Sequence, residues 1–350
     1  MERAVYRIID ANFNRAREAL RVIEEFCRFA LNSGSLTGRV KSLRHELSAA
    51  VGKLDMGRLI ASRDTLGDVG VGKTVHEQLR RSDLSDCLAA ACKRLTEALR
   101  ALGETAQTLN PQVADTVEKL RYTAYTLEKD ITLFSKPAEK FKFVKLYVVI
   151  SSSLPANVIS LAHKCAAGGA DCIQLRAKSI EDDTLFALAA EFVQLCAAGG
   201  VLSIINDRID VAVAAGADGI HLGQNDLPIE QARKLLLTPL LIGKTTHSVE
   251  QLRAACGDNP TYVSLGPVFR TATKPTAEAV GLEYVKTGTA ELADTGIGHV
   301  AIGGITLDNV REVLRAGARA IAVCSAVTEV EDPTAACRAL KEKIMALVKE

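Results

Sequence analysis

The chain has 350 residues, a formal net charge of +1 and 24% charged residues, the balance of an ordinary globular protein rather than a nucleic-acid or membrane-surface binder. Trp is absent and aromatic residues make up 4%, which argues against stacking platforms for unpaired bases. A chain of this length holds two domains, or one with a large extension.

No apolar run reaches the roughly 18 residues of a membrane-spanning helix. The first residues, MERAVYRIIDANFNRAREAL, are charged and lack the apolar core of a signal peptide. The nine cysteines form no CxxC pair, and most lie in apolar contexts, so reduced thiols in a cytoplasmic protein are expected.

Residues 1–135 read as all-helical. Arg15 to Leu31 carries Ala19, Leu20, Ile23, Phe26, Cys27 and Ala30 at helical spacing. Leu36 to Leu54, Asp83 to Ala106 and Val113 to Leu133 continue in the same manner with good helix formers. The region repeats itself: RAREALRVIEE from Arg15 matches RLTEALRALGE from Arg94, and Leu43-Arg44 matches Leu120-Arg121. The agreeing offsets favour a duplicated helix pair over two unrelated helices that share common helix formers. Between the copies, Gly67 to Thr74 satisfies GxxxxGK[ST]. A phosphate-binding loop of that type needs a preceding buried strand, and the stretch before it offers only a three-residue apolar run, so the match is read as fortuitous.

Ser135 to Lys142, SKPAEKFK, is polar and contains a proline, and is expected to break the helix and divide the chain. From Phe143 short apolar strands alternate with helices. They read as Val144–Ser151, Cys172–Arg176, Leu202–Ile205, Gly219–Leu222, Leu240–Gly243, Tyr262–Gly266, His299–Gly303 and Ala320–Cys324. A last helix covers Pro333 to Val348. Eight βα units in roughly 205 residues are the count and size of a (β/α)8 TIM barrel, with a doubly wound sheet as the alternative. The expected fold is therefore α/β, a barrel over 143–350 behind an all-α domain over 1–135.

In such barrels the chemistry sits at the carboxyl ends of the strands. The third strand ends in Asn206-Asp207 and the fourth in Gly223-Gln224-Asn225-Asp226. Asp207 and Asp226 are expected on one rim, close enough to share a hard cation such as Mg²⁺. Strand alternation sends Gln174, Arg176 and Lys178 to one side, an amide and two cations suited to a polyanion, unless they are merely solvated charges. The fifth strand ends in Lys244-Thr245-Thr246-His247-Ser248, where His247 is equally readable as a helix N-terminal residue. The sixth runs into GPVFRTATK, with Thr271, Thr273 and Lys274 in a candidate anion cradle. Gly303-Gly304 and Cys324-Ser325 follow the last two strands, where this fold commonly seats a phosphate. Two acids for Mg²⁺ with Arg176, Lys178 and Lys274 suit a pyrophosphate, and the glycine, threonine and serine ends suit a monophosphate. No Ser-His-Asp or Cys-His arrangement stands out, and a metal with cations suffices for a dissociative displacement.

QLRAK, INDRIDVAVAAGADGIHLGQND, GPVFRTATK, AIGGI and VCSAV, in this order over residues 143–346, closely resemble the thiamine-phosphate synthase family. The resemblance implies joining of 4-amino-2-methyl-5-hydroxymethylpyrimidine diphosphate to 4-methyl-5-(2-phosphoethyl)thiazole, with release of pyrophosphate. It implies that Gln174, Leu175, Arg176, Ala177, Lys178, Asn206, Thr245 and Lys274 bind the pyrimidine diphosphate. It places Mg²⁺ on Asp207 and Asp226, and the thiazole phosphate on Thr271, Ala272, Thr273, Gly304, Cys324 and Ser325. Arg176, Lys178 and Lys274 take the catalytic role. Thr245 stands where the family usually has Ser, which keeps the hydroxyl. A related branch of the barrel acts as a thiazole isomerase or regulator, and the intact QxRxK and both aspartates argue against it. The partners implied are these two small molecules, with no nucleic acid and no membrane, and a homo-oligomer is left open.

Asp10 to Arg15, Arg63-Asp64-Thr65 and Asp68-Val69-Gly70 resemble a helical domain often fused ahead of this synthase and assigned as an alternative hydroxymethylpyrimidine phosphate kinase. The resemblance offers Arg7, Asp10, Asn14, Arg63, Asp64 and Asp68 as site groups. A non-catalytic dimerisation or regulatory module, with these residues as caps and salt bridges, stands beside it.

Overall fold

The computed structural model describes residues 1–31, 33–71, 73, 81–236, 238–271 and 278–348. The chain divides into two units, Met1–Thr132 and Leu133–Glu350.

The first unit is helical. Helix α1, Glu2–Glu25, starts earlier than the expected Arg15, because Ile9, Phe13, Ala16, Leu20 and Ile23 form one continuous buried stripe. A π-helical turn, Phe26–Ala30, follows it. Helix α2 covers Gly34–Val51, α3 Met56–Ala61 and α4 Leu84–Ala106. The side chains of Ser33, Asp55 and Asp83 accept backbone N–H bonds from the first turns of these three, the usual reason a helix begins at such residues. The two copies of the repeated segment lie in α1 and α4, which pack against each other. Helix α3 stands where a phosphate-binding loop needs a strand. Asp64 and Asp68 accept N–H bonds from Gly67 and Gly70, so the glycines close turns of their own. Gly72 and Thr74 of that motif lie outside the described residues.

Residues 135–142 do not break the helix. They form the last turns and end of helix α5, Pro111–Phe141, with Pro137 inside it. Phe134, Ala138 and Phe141 recur at helical spacing and are all buried, and this apolar stripe outweighs the missing proline N–H.

The second unit is a closed barrel of parallel strands: β1 Leu146–Ser151, β2 Cys172–Arg176, β3 Leu202–Asn206, β4 Gly219–Leu222, β5 Leu241–Thr246, β6 Tyr262–Leu265, β7 Gly298–Ile302 and β8 Ile321–Val323. A helix follows each strand, from Pro155–Ala167 after β1 to Ser325–Thr328 after β8. The doubly wound alternative is thereby set aside, since β1 pairs with β8. One strand runs well beyond its expected end. β5 continues through Lys244, Thr245 and Thr246, because Thr246 is fully buried and its hydroxyl donates to the Ser264 carbonyl at 2.9 Å.

The apolar core lies in two shells. The outer one, between strands and helices, includes Ile173, Leu175, Leu188 and Phe192. The inner one fills the lower half of the barrel with Tyr147, Ile204, Leu241, Tyr262 and Val300. Phe141 plugs that end: its ring stacks on Tyr262 at 4.2 Å and 9°. A Cβ at residue 298 would lie 2.6 Å from the Phe141 ring, so the start of β7 accepts only glycine. None of the nine cysteines forms a disulfide, and burial pushes the Cys27, Cys92 and Cys196 thiols up to about 12, which makes them inert. Among the described residues no helix is long and apolar enough to cross a membrane.

Candidate active site

A cavity opens at the C-terminal mouth of the barrel, and the strand ends build it. β2 contributes Gln174 and Arg176, with Lys178 just beyond. The alternation that turns these three inward turns Leu175 outward into the helix-facing core, where it is 1% exposed, and Ala177 packs against the same core. These two expected ligands therefore do not line the cavity. β3 delivers Asn206 and then Asp207. Asp207 takes a left-handed backbone (φ 62), a conformation that short polar residues tolerate best, and its N–H donates to the His221 carbonyl at 2.9 Å. The turn after β4 brings Asp226, and β5 brings Thr245.

The two acids share a hydrogen bond. Burial raises the Asp207 carboxyl, but a hydrogen bond with Asp226 and the Lys178 ammonium more than offset it, and Asp207 lies below the ordinary carboxylate range. Lys178 Nζ stands 2.9 Å from Asp207 Oδ2. Burial and then the same hydrogen bond hold Asp226 above that range. The two carboxyl groups thus face each other within hydrogen-bonding reach, an arrangement that a hard cation can bridge. Asp226 also accepts the Gly223 N–H at 2.6 Å, and Lys244 donates to the Gly223 carbonyl at 2.7 Å, so the turn is fixed from both sides. Among the described residues no group of three or more His, Cys, Asp or Glu could hold a metal. A two-carboxylate site suits Mg²⁺, whose remaining positions go to water and phosphate.

The opposite wall comes from the last strands. Gly303 and Gly304 both have positive φ, and a Cβ at residue 304 would lie 2.6 Å from the Arg270 carbonyl oxygen. The backbone at this wall is therefore bare of side chains, a surface that an oxyanion can approach closely. Thr271, Cys324 and Ser325 stand on the same side. Ala272, Thr273 and Lys274 lie outside the described residues.

The geometry agrees with what the chain is similar to. The family model described as "Thiamine monophosphate synthase" matches residues 146–327, and the one described as "ThiD2 family" matches residues 7–130. The thiamine-phosphate synthase of Nostoc punctiforme is 39% identical over 95% of this chain and 92% of that protein. That of Rhodopirellula baltica is 39% identical over 93% of this chain and 88% of its own length. Among solved structures, the thiamine phosphate pyrophosphorylase from Pyrococcus furiosus is 34% identical, with a TM-score of 0.55 over 60% of this chain and 98% of that one. The chain belongs to the thiamine-phosphate synthase family. The two full-length relatives match across both units of this chain.

Three residues of the synthase barrel escaped the sequence reading. Tyr147 and Tyr262 stand inside the barrel beneath the cavity, and His221 joins them from the cavity lining. His221 was absorbed into the apolar run Ile220 to Leu222. Its signal is positional: it alternates with Gly219 on a strand whose inward positions must be polar or very small. A Cβ at residue 219 would lie 2.4 Å from Leu241. His247 also reaches the cavity, and its Nδ1 pairs with the Gly266 carbonyl, so it is more than a helix N-terminal residue.

Proposed function

We propose that the cavity residues divide the synthase reaction between two walls. Gln174, Asn206 and Thr245 hold the pyrimidine. Arg176, Lys178 and Lys274 hold its diphosphate, and Asp207 and Asp226 hold Mg²⁺. Thr271, Thr273, Gly304, Cys324 and Ser325 hold the thiazole phosphate. The observation that carries this reading is the facing pair Asp207–Asp226 beside Lys178, opposite the bare Gly303–Gly304 backbone in one cavity.

The chemistry follows from the donors. When bound, Mg²⁺ neutralises charge that develops on the departing pyrophosphate. Arg176 and Lys178 add fixed positive charge on the same side, and the Arg176 guanidinium is held by the Ser151 hydroxyl at 2.9 Å. The bond from the pyrimidine methylene to oxygen breaks first, and the ring amino group stabilises the resulting cation. The thiazole nitrogen, held by its phosphate on the opposite wall, then supplies the electron pair for the new C–N bond. No general base is required, because forming the new C–N bond from the ring-nitrogen electron pair releases no proton.

The test uses the full chain with pyrimidine diphosphate, thiazole phosphate and Mg²⁺, following thiamine phosphate. Asp207→Asn keeps a residue that tolerates the left-handed backbone and removes the charge. It should lower turnover by about 10²–10³, the range for removing one preorganised electrostatic group. Undiminished turnover with folded protein would remove the carboxylate pair from the mechanism.

For the helical unit we infer a supply role, phosphorylation of the pyrimidine monophosphate by ATP, which makes the substrate of the barrel. The motif residues do meet: Arg63 donates two hydrogen bonds to Asp10 at 2.7 and 2.8 Å, Asn14 donates to Asp10, and Arg7 donates to the Asp64 carbonyl. The bidentate Arg63–Asp10 pair equally suits a module that only holds helices together. Turnover of ATP with the pyrimidine monophosphate separates the two, since only a kinase yields pyrimidine diphosphate.

A further inference from the structure

Beneath the pyrimidine end of the cavity lies a continuous chain of hydrogen bonds with a fixed direction. Gln174 Nε2 donates to Tyr147 Oη at 2.8 Å. The two tyrosine oxygens are 2.9 Å apart. Tyr262 Oη is 3.1 Å from His221 Nδ1, and His221 Nε2 is 2.9 Å from Thr245 Oγ1. All five side chains are buried. Counting hydrogens settles who donates. Tyr147 already accepts from Gln174, so its single hydrogen goes to Tyr262. Tyr262 then gives its own hydrogen to His221 Nδ1. A neutral imidazole with Nδ1 as acceptor carries its hydrogen on Nε2 and donates it to Thr245. The Thr245 hydroxyl hydrogen is left for the cavity, and so is the Gln174 carbonyl oxygen.

Residue 243 makes the same point independently. A Cβ there would lie 2.4 Å from both Tyr262 Oη and His221 Nδ1, at the junction of the chain. Glycine keeps this contact open, where any other residue would part the two groups.

We propose that Tyr147, Tyr262 and His221 are positioning residues that set Gln174 as acceptor and Thr245 as donor, a matched reader for the amino-substituted ring-nitrogen edge of the pyrimidine. An exocyclic N–H beside a ring-nitrogen lone pair presents one donor and one acceptor, the complement of the two ends. Because the ends are joined, reversing one reverses the other, and an edge without the amino group leaves the reader half-satisfied. The inference rests on the placement of the pyrimidine proposed above.

The test is Tyr262→Phe in the full chain, which deletes the central oxygen and keeps the ring on Phe141. In the wild type, nitrogen NMR of His221 should report the Nε2–H tautomer, and the variant should lose that preference. The KM for pyrimidine diphosphate should rise about ten- to a hundredfold, the cost of an unsatisfied buried group, while the KM for thiazole phosphate stays unchanged. The wild type should reject the pyrimidine diphosphate lacking its amino group by about 10⁴, as sites built to bond a substrate N–H do, and the variant should reject it less. Should Tyr262→Phe fail to fold, Tyr147→Phe cuts the chain one link earlier and is read in the same way. An unchanged tautomer, or equal losses for both substrates, overturns the relay. A wild-type chain that makes no thiamine phosphate instead defeats the site assignment on which it rests.

Discussion

Replacing Phe141 by Ala tests whether the end of α5 belongs to the barrel. The ring is 4% exposed, stacks on Tyr262 at 4.2 Å and lies over Gly298, which has no side chain to fill the space left behind. Phe-to-Ala changes in cores cost about 3–5 kcal/mol, the stack included. The ring lies at the lower end of the barrel, where its surroundings can relax in part, so about 3 kcal/mol is expected. A chain of two units does not unfold in one step, and a global melt would mix them. Hydrogen exchange resolves them by segment. Amides of β5, β6 and β7 that exchange through opening of the barrel should exchange about a hundredfold faster, and those of α1 and α4 are read in the same experiment as the reference. A change under about fivefold in the strands would refute the reasoning. It would place the start of the barrel near residue 143, where the polar SKPAEKFK stretch alone puts it.

Gly243→Ala forces a Cβ to within 2.2 Å of the Tyr262 ring and should destabilise the barrel by about 1–3 kcal/mol or more; unaltered exchange in β5 and β6 would contradict the packing. His299 gives a pH dependence. Burial, then the charges of Arg319 and Lys145, lower it from 6.5 to about 4, and its Nε2 accepts the Arg319 backbone N–H at 3.0 Å. The unfolded chain therefore takes up the proton first as pH falls. Barrel stability is unaffected above about 6.5 and drops by roughly 3 kcal/mol as pH falls towards 4. Denaturation midpoints measured between these pH values should show that slope, and His299→Gln should flatten it.

The barrel was legible because parallel strands buried on both faces appear as short apolar runs, and eight of them recur with helices between. The rim was legible for a related reason. Asn206, Asp207 and Asp226 are polar residues placed where an apolar run ends, and nothing in packing demands them there. Three features were not legible, each through a different competition. Pro137 signals a break locally, but Phe134, Ala138 and Phe141 bury enough surface to carry the helix through it. Thr245 and Thr246 resemble a polar loop, yet their β-branched side chains suit a strand whose hydroxyls find partners inside. Tyr147 and Tyr262 read as ordinary strand aromatics, because sequence alone does not tell the inside of a barrel from its outside.

That last ambiguity has a physical basis in the vertical order of the barrel. At the bottom, Phe141 closes the interior with apolar surface. At the top, Asp207, Asp226, Arg176 and Lys178 are charged and partly solvated. An abrupt step between the two would leave Gln174 and Thr245, 4% and 9% exposed, with buried polar groups and no partners. The tyrosines resolve this: each ring faces the apolar layer and each hydroxyl the polar one. His221 joins the tyrosine layer to Thr245, and no buried side-chain polar atom among the described residues lacks a partner. On the proposed placement of the pyrimidine, the same middle layer that makes burial tolerable also holds Gln174 and Thr245 in a single orientation. Specificity at that end and stability of the barrel interior then become properties of one set of side chains, and a substitution at Tyr262 or Gly243 is expected to move both together.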